Sequence, residues 1–117
     1  MNNEELEVLQ TANEYINNVQ RAIPEIIENY RNGQEVQASE KMILLIEGLQ
    51  WLDEVIRLTQ DHTSIDREDS ISLYQEILEA MENGDIILLS DLMEYELIPI
   101  LSLWKEQFEE TVKNNLN

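Results

Sequence analysis

The sequence predicts an all-α protein, an antiparallel up-and-down four-helix bundle that forms a single domain over residues 1–117. Three observations predict this fold class. Apolar residues recur at steps of three and four along four segments, no segment of useful length alternates like a strand, and short polar links separate the segments. Helices that are joined by short loops pack most simply beside their neighbours in the chain, in opposite directions.

The first segment, residues 3–31, predicts one long amphipathic helix. Pro24 lacks the amide that would bond to Gln20, which predicts a kink, but the apolar stripe continues beyond it and indicates one bent helix. Asn32 and Gly33 predict its end. The stripe comprises Leu9, Ala12, Ile16, Val19, Ile23, Ile26 and Tyr30.

The second segment, residues 34–60, predicts a helix that is apolar on two sides. Such a helix lies centrally in a bundle or contacts a partner as well as the core, and both interpretations remain open. The first stripe comprises Met42, Leu45, Leu49, Leu52 and Ile56. The second stripe comprises Leu44, Trp51, Val55 and Leu58.

The third helix is predicted over residues 67–82, with Ser64 or Asp66 as its N-cap. Asn83 and Gly84 predict its end. Four of its acids fall opposite its apolar arc at 100° per residue: Glu68, Asp69, Glu76 and Glu79.

The fourth helix is predicted over residues 86–114, with Asp85 as its cap. Pro99 predicts a kink near Tyr95, because the carbonyl group of that residue loses its helical partner. The apolar stripe comprises Ile86, Leu89, Met93, Leu97, Ile100, Trp104, Phe108 and Val112.

The net charge of −18, from 7 Lys and Arg against 25 Asp and Glu, excludes several functions. Direct binding of nucleic acid through a basic patch and attachment to an anionic membrane are both disfavoured. With no Cys, the chain can form neither disulfides nor Cys-based metal sites. The polar N-terminus and the absence of a long apolar run predict a cytoplasmic protein.

Residues 61–96 hold eleven acids and one base, Arg67. This acidic face has three interpretations: a solvated surface, a docking surface for a basic partner, or a nucleic-acid mimic that inhibits a basic protein.

Few residues offer catalytic chemistry. His62 is the only His, so neither a di-iron site with two Glu-x-x-His motifs nor a catalytic triad has a second candidate residue. The enzyme alternative is a magnesium-dependent nucleotide pyrophosphohydrolase of the all-α type. Glu25 and Glu28 match its first Glu-x-x-Glu pair and Asp53 matches its second pair, in which Gln50 replaces a carboxylate.

Two resemblances add to these observations. The run from Asp91 to Leu101, DLMEYELIPIL, resembles a signature in small uncharacterised acidic proteins of Firmicutes. The run from Leu45 to Leu52, LIEGLQWL, together with the size and helical organisation, is similar to the flagellin export chaperones. The second resemblance implies that an amphipathic segment binds in a groove between helices.

The sequence therefore predicts a non-enzymatic protein–protein interaction module: an adaptor, a chaperone-like binder or a regulator, with no cofactor or metal. Its expected partner is a basic protein or an amphipathic helical segment, and a homodimer that buries the second stripe of the second helix remains open. The predicted contact residues are Leu44, Trp51, Val55 and Leu58, which are apolar, and Glu68, Asp69, Glu76 and Glu79, which are acidic.

Overall fold

The computed structural model describes residues 1–116, and these form four helical rods. The first three rods are single helices: α1 (Asn3–Arg31), α2 (Glu35–Leu58) and α3 (Arg67–Glu82). The fourth rod consists of α4 (Ile86–Leu92), a π-helical turn (Met93–Leu97) and α5 (Ile98–Asn115). Within residues 1–116 there is no strand, and the prediction of an all-α four-helix bundle is confirmed.

Local capping chemistry sets the ends of the rods. Asn2 and Glu5 form a capping box at the start of α1, and the side chains of Asp66 and Asp85 accept hydrogen bonds from the first turns of α3 and α4. Gly33 and Gly84 follow α1 and α3 with φ of 74° and 62°, a left-handed conformation that favours glycine.

The long helix α1 packs against both α2 and α5, and α3 packs against α4. Gln20 Nε2 donates to Ser102 Oγ at 2.9 Å, and Asn13 Nδ2 donates to Glu109 Oε1 at 3.2 Å. As the α1 residue number rises, its partner's number falls, so the two helices are antiparallel. The rods follow one another around a bundle that measures 50 × 23 × 19 Å.

The two stripes predicted to face the core do so. All seven residues of the α1 stripe are buried, and so are all five residues of the first α2 stripe. Burying a large aliphatic side chain contributes about 1.5–3 kcal/mol, so these stripes hold α1 and α2 together. The helix α1 continues without a break across Pro24, as the unbroken stripe predicts.

The irregularity that Pro99 predicts near Tyr95 takes the form of the π-helical turn. The amide of Ile98 donates to the carbonyl group of Met93, one residue further back than in an α-helix. Beyond the turn, Trp104 and Phe108 are buried, as the predicted stripe requires. Leu101, which lies outside that stripe, is also fully buried, whereas Ile100 is partly buried and packs against the edge of the core.

No helix in the described part of the chain is both long enough and apolar enough to cross a membrane.

We expect Leu101→Ala to lower the free energy of unfolding by about 3 kcal/mol, because it leaves a cavity in the core. The neighbouring Ile100→Ala serves as the matched control and should cost about 1 kcal/mol, because that side chain already contacts solvent. Urea unfolding of both variants measures the difference. Equal losses at the two positions would contradict this difference in burial.

Candidate functional site

An apolar groove of about 620 Å³ lies between α1 and α2. We refer to it as the α1–α2 groove. Its α1 wall is formed by Thr11, Tyr15, Asn18, Val19, Ala22 and Ile26. Its α2 wall is formed by Lys41, Leu44, Leu45, Glu47, Gly48 and Trp51. With one Lys and one Glu, the lining has no net charge, and most of its residues are apolar.

Gly48 determines the shape of the middle of this groove. A Cβ atom at this position would overlap the hydroxyl and ring of Tyr15, so only glycine lets the Tyr15 side chain lie across the α2 backbone. The Tyr15 ring then meets Trp51 edge to face, with centroids 5.8 Å apart and planes at 83°. Partial burial raises the pKa of the Tyr15 phenol, which stays neutral at physiological pH.

Several apolar side chains along α2 remain in contact with solvent. Leu44 is 66 % exposed, Trp51 is 39 % exposed and Leu58 is 62 % exposed. They follow one another at seven-residue intervals, which places them on one face of α2. Leu44 and Trp51 line the groove, and Leu58 continues the same face beyond it. An exposed row of large apolar residues is typical of a contact surface.

Val55 does not belong to this surface. It was expected to contact a partner together with Leu44 and Trp51, but it is only 2 % exposed and packs in the core. The position lies on the boundary between the two α2 stripes, and α2 is rotated so that this boundary faces inward.

The four acids of α3 that were expected on a surface, Glu68, Asp69, Glu76 and Glu79, are all exposed. Asp69 and Glu76 line shallow depressions between α3 and α5. Because α3 and α5 form the side of the bundle opposite α1 and α2, the predicted apolar and acidic residues form two separate surfaces.

Arg67 is turned away from these acids. Its guanidinium group donates to both carboxylate oxygens of Asp53 on α2, at 3.0 and 2.7 Å, and this hydrogen bonding raises its pKa further. Burial, and then the negative charge of Asp53, raise the pKa of Tyr74 on the inner side of α3. Arg57, one turn after Asp53, pairs with Glu54, which lowers the pKa of that carboxyl group.

The three carboxylates proposed as magnesium ligands do not converge. Glu25 Oε2 lies 3.9 Å from Lys41 Nζ, near the start of α2. Asp53 is twelve residues after Lys41, which is about 18 Å further along the axis of α2. Asp53 is already bonded to Arg67. The magnesium-site hypothesis built on Glu25, Glu28 and Asp53 is therefore wrong in this structure. No group of three potential metal ligands occurs within residues 1–116.

The groove itself was only partly foreseen from the sequence. Leu44 and Trp51 were expected as contact residues, but Tyr15, Ala22 and Gly48 were not. Gly48 carries a detectable signal, because a glycine in the middle of a long helix costs up to about 1 kcal/mol relative to alanine and suggests a close approach of another group. The identity of that group, Tyr15, depends on how α1 and α2 pack.

A family model described as "Domain of unknown function (DUF8042)" matches residues 7–107. The chain belongs to this family. The match extends from the first turns of α1 into α5 and so includes every residue that lines the α1–α2 groove. No curated protein and no solved structure was found to match the sequence.

We expect Gly48→Ala to have opposite effects in two backgrounds. With Tyr15 present, the new methyl group displaces the ring and should lower the free energy of unfolding by about 1–2 kcal/mol. In a Tyr15→Ala background the clash is gone. The higher helix propensity of alanine should then raise the free energy of unfolding by about 0.5–1 kcal/mol. Urea unfolding of the four proteins measures both effects, and equal effects would contradict the close approach.

Proposed function

We propose that this protein is a non-enzymatic protein–protein interaction module that binds an amphipathic helical segment of a partner in the α1–α2 groove. The observation that carries this proposal is an open apolar groove with Leu44 and Trp51 exposed on its wall. Such a module acts in the cytoplasm as an adaptor, a chaperone-like binder or a regulator.

The dimensions and chemistry of the groove suit this mode of binding. Its volume is about 620 Å³, and its two walls are formed by side chains of the neighbouring helices α1 and α2. An amphipathic helix inserts residues at i, i+3 or i+4 and i+7 into such a groove. Trp51 is the expected energetic centre, because a Trp residue that becomes desolvated on binding contributes more than most other contacts.

The charge of the chain favours a foreign partner over a second copy. Two copies would each carry a formal charge of −18 and would repel one another as they approach. A segment with Lys or Arg on its polar face would be attracted to the protein instead, while its apolar face covers Leu44 and Trp51. This argument supports a cationic amphipathic helix as the occupant of the groove.

Binding can be tested with a synthetic helix of about 18 residues that has Leu and Ala on one face and Lys and Gln on the other. Trp104→Phe leaves Trp51 as the only fluorescent indole, because the chain has two Trp residues. We expect the emission of Trp51 to shift to shorter wavelength when the peptide covers it. A peptide with the same composition in scrambled order should produce no shift.

Leu44→Ser should weaken peptide binding about tenfold, because it removes an apolar contact from the groove wall. Ile43→Ser is the matched control: Ile43 is 56 % exposed on the same helix but does not line the groove, and its loss should change the affinity less than about twofold. Equal effects of the two substitutions, or equal binding of the scrambled peptide, would reject the proposal. If analytical ultracentrifugation shows a dimer that is lost in Leu44→Ser, the occupant of the groove is a second copy of this chain and not a segment of another protein.

A further inference from the structure

A second groove runs between α3 and α5, on the side of the bundle opposite the α1–α2 groove. It consists of two adjoining depressions of about 180 and 360 Å³ that share Asp69 and Ile100. We refer to it as the α3–α5 groove. Along α3 it extends from Asp66 to Glu76, ten residues and about 15 Å of helix.

The α3–α5 groove combines an apolar floor with acidic walls. Exposed carboxylates line it on both sides, with Asp66, Asp69 and Glu76 on the α3 side and Glu96 on the fourth rod. Apolar side chains form the floor: Ile65, Leu73, Ile100, Leu103 and Trp104. Leu103 is 61 % exposed, so part of the floor faces solvent.

The negative charge of this groove has no local counterion from the protein. Among the residues that the structure describes, no Lys or Arg lines it. Arg67 forms an ion pair with Asp53 on α2. Arg31 Nη2 lies 3.5 Å from Oε2 of Glu94, a residue that does not line the groove. Lys105 is three residues after Ser102, which bonds to α1, so it lies on the flank of α5 that faces away from α3.

We infer that the α3–α5 groove is a second docking surface, which binds a short protein segment that carries Arg or Lys residues beside one or two apolar residues. Its cations pair with the two acidic walls, and its apolar residues cover Ile100 and Leu103. Charge complementarity identifies this occupant, because a segment of another acidic chain, including a second copy of this one, would be repelled. The uncharged α1–α2 groove has different chemistry, so the inference goes beyond the proposed function and does not depend on it.

The test uses a fluorescein-labelled peptide of about ten residues, the length of helix that spans the groove, with Arg and Leu as its main residues. Fluorescence polarisation with the full chain measures its affinity at low salt. Replacing two wall carboxylates with neutral isosteres, as Asp69→Asn with Glu76→Gln, should weaken binding about fivefold or more. Raising the salt concentration should weaken binding to the original protein more than binding to this variant.

The matched control is the pair Glu7→Gln and Glu14→Gln. These two exposed acids are seven residues apart on α1, as Asp69 and Glu76 are on α3. Each double variant replaces two acids with neutral residues, so both change the net charge equally. The control should bind the peptide with less than about twofold change. Equal weakening in both double variants would show general attraction to an acidic protein and would overturn the inference.

Two single substitutions separate this groove from the α1–α2 groove. Leu103→Ser should weaken binding of the Arg and Leu peptide but not of an oligoarginine of the same charge, since only the first uses the apolar floor. Leu44→Ser should leave binding of the Arg and Leu peptide unchanged. A loss with Leu44→Ser and none with Leu103→Ser would place the peptide in the α1–α2 groove and overturn the inference, while leaving the proposed function intact.

Discussion

The buried stripe of α1 is the contact on which the other elements depend. This one helix of 29 residues packs against α2 on one side and α5 on the other, and all seven of its stripe residues are excluded from solvent. The two long helices α2 and α5 together cover this stripe. The remaining rod, α3, then closes the bundle against α4, and the outer seams of the bundle form both grooves.

The two grooves differ because different residues stand at the two seams. At the α1–α2 seam, Gly48 has no side chain, so Tyr15 lies inward against Trp51 and the apolar walls remain open. At the α3–α5 seam, acids stand on both sides of a partly exposed apolar floor, and Arg67 is held by Asp53 on another helix. One surface is thus suited to apolar contact and the other to cations. The two proposed binding surfaces therefore differ in chemistry: one is apolar and uncharged, and the other is acidic.

The π-helical turn shows how the fourth rod accommodates Pro99. Pro99 has no amide to donate, and the hydrogen bond from Ile98 to Met93 accommodates this within a continuous rod. Beyond the turn, Leu101 is fully buried, and Trp104 and Phe108 keep their predicted places in the core. Ile100 packs against the edge of the core and also forms part of the floor of the α3–α5 groove.

The sequence alone determined the helical class, the ends of the helices and the core-facing stripes of α1 and α2, because caps, glycines and 3.6-residue periodicity act within a few residues of one another. It also named Leu44, Trp51 and Leu58 as candidate contact residues, and all three are exposed. Only the tertiary structure decided that Val55 is buried, that Leu101 is buried more deeply than Ile100, and that Asp53 binds Arg67 rather than a metal. Each of these depends on the rotation and spacing of helices relative to one another. That arrangement results from the packing of the whole core, and no local pattern encodes it.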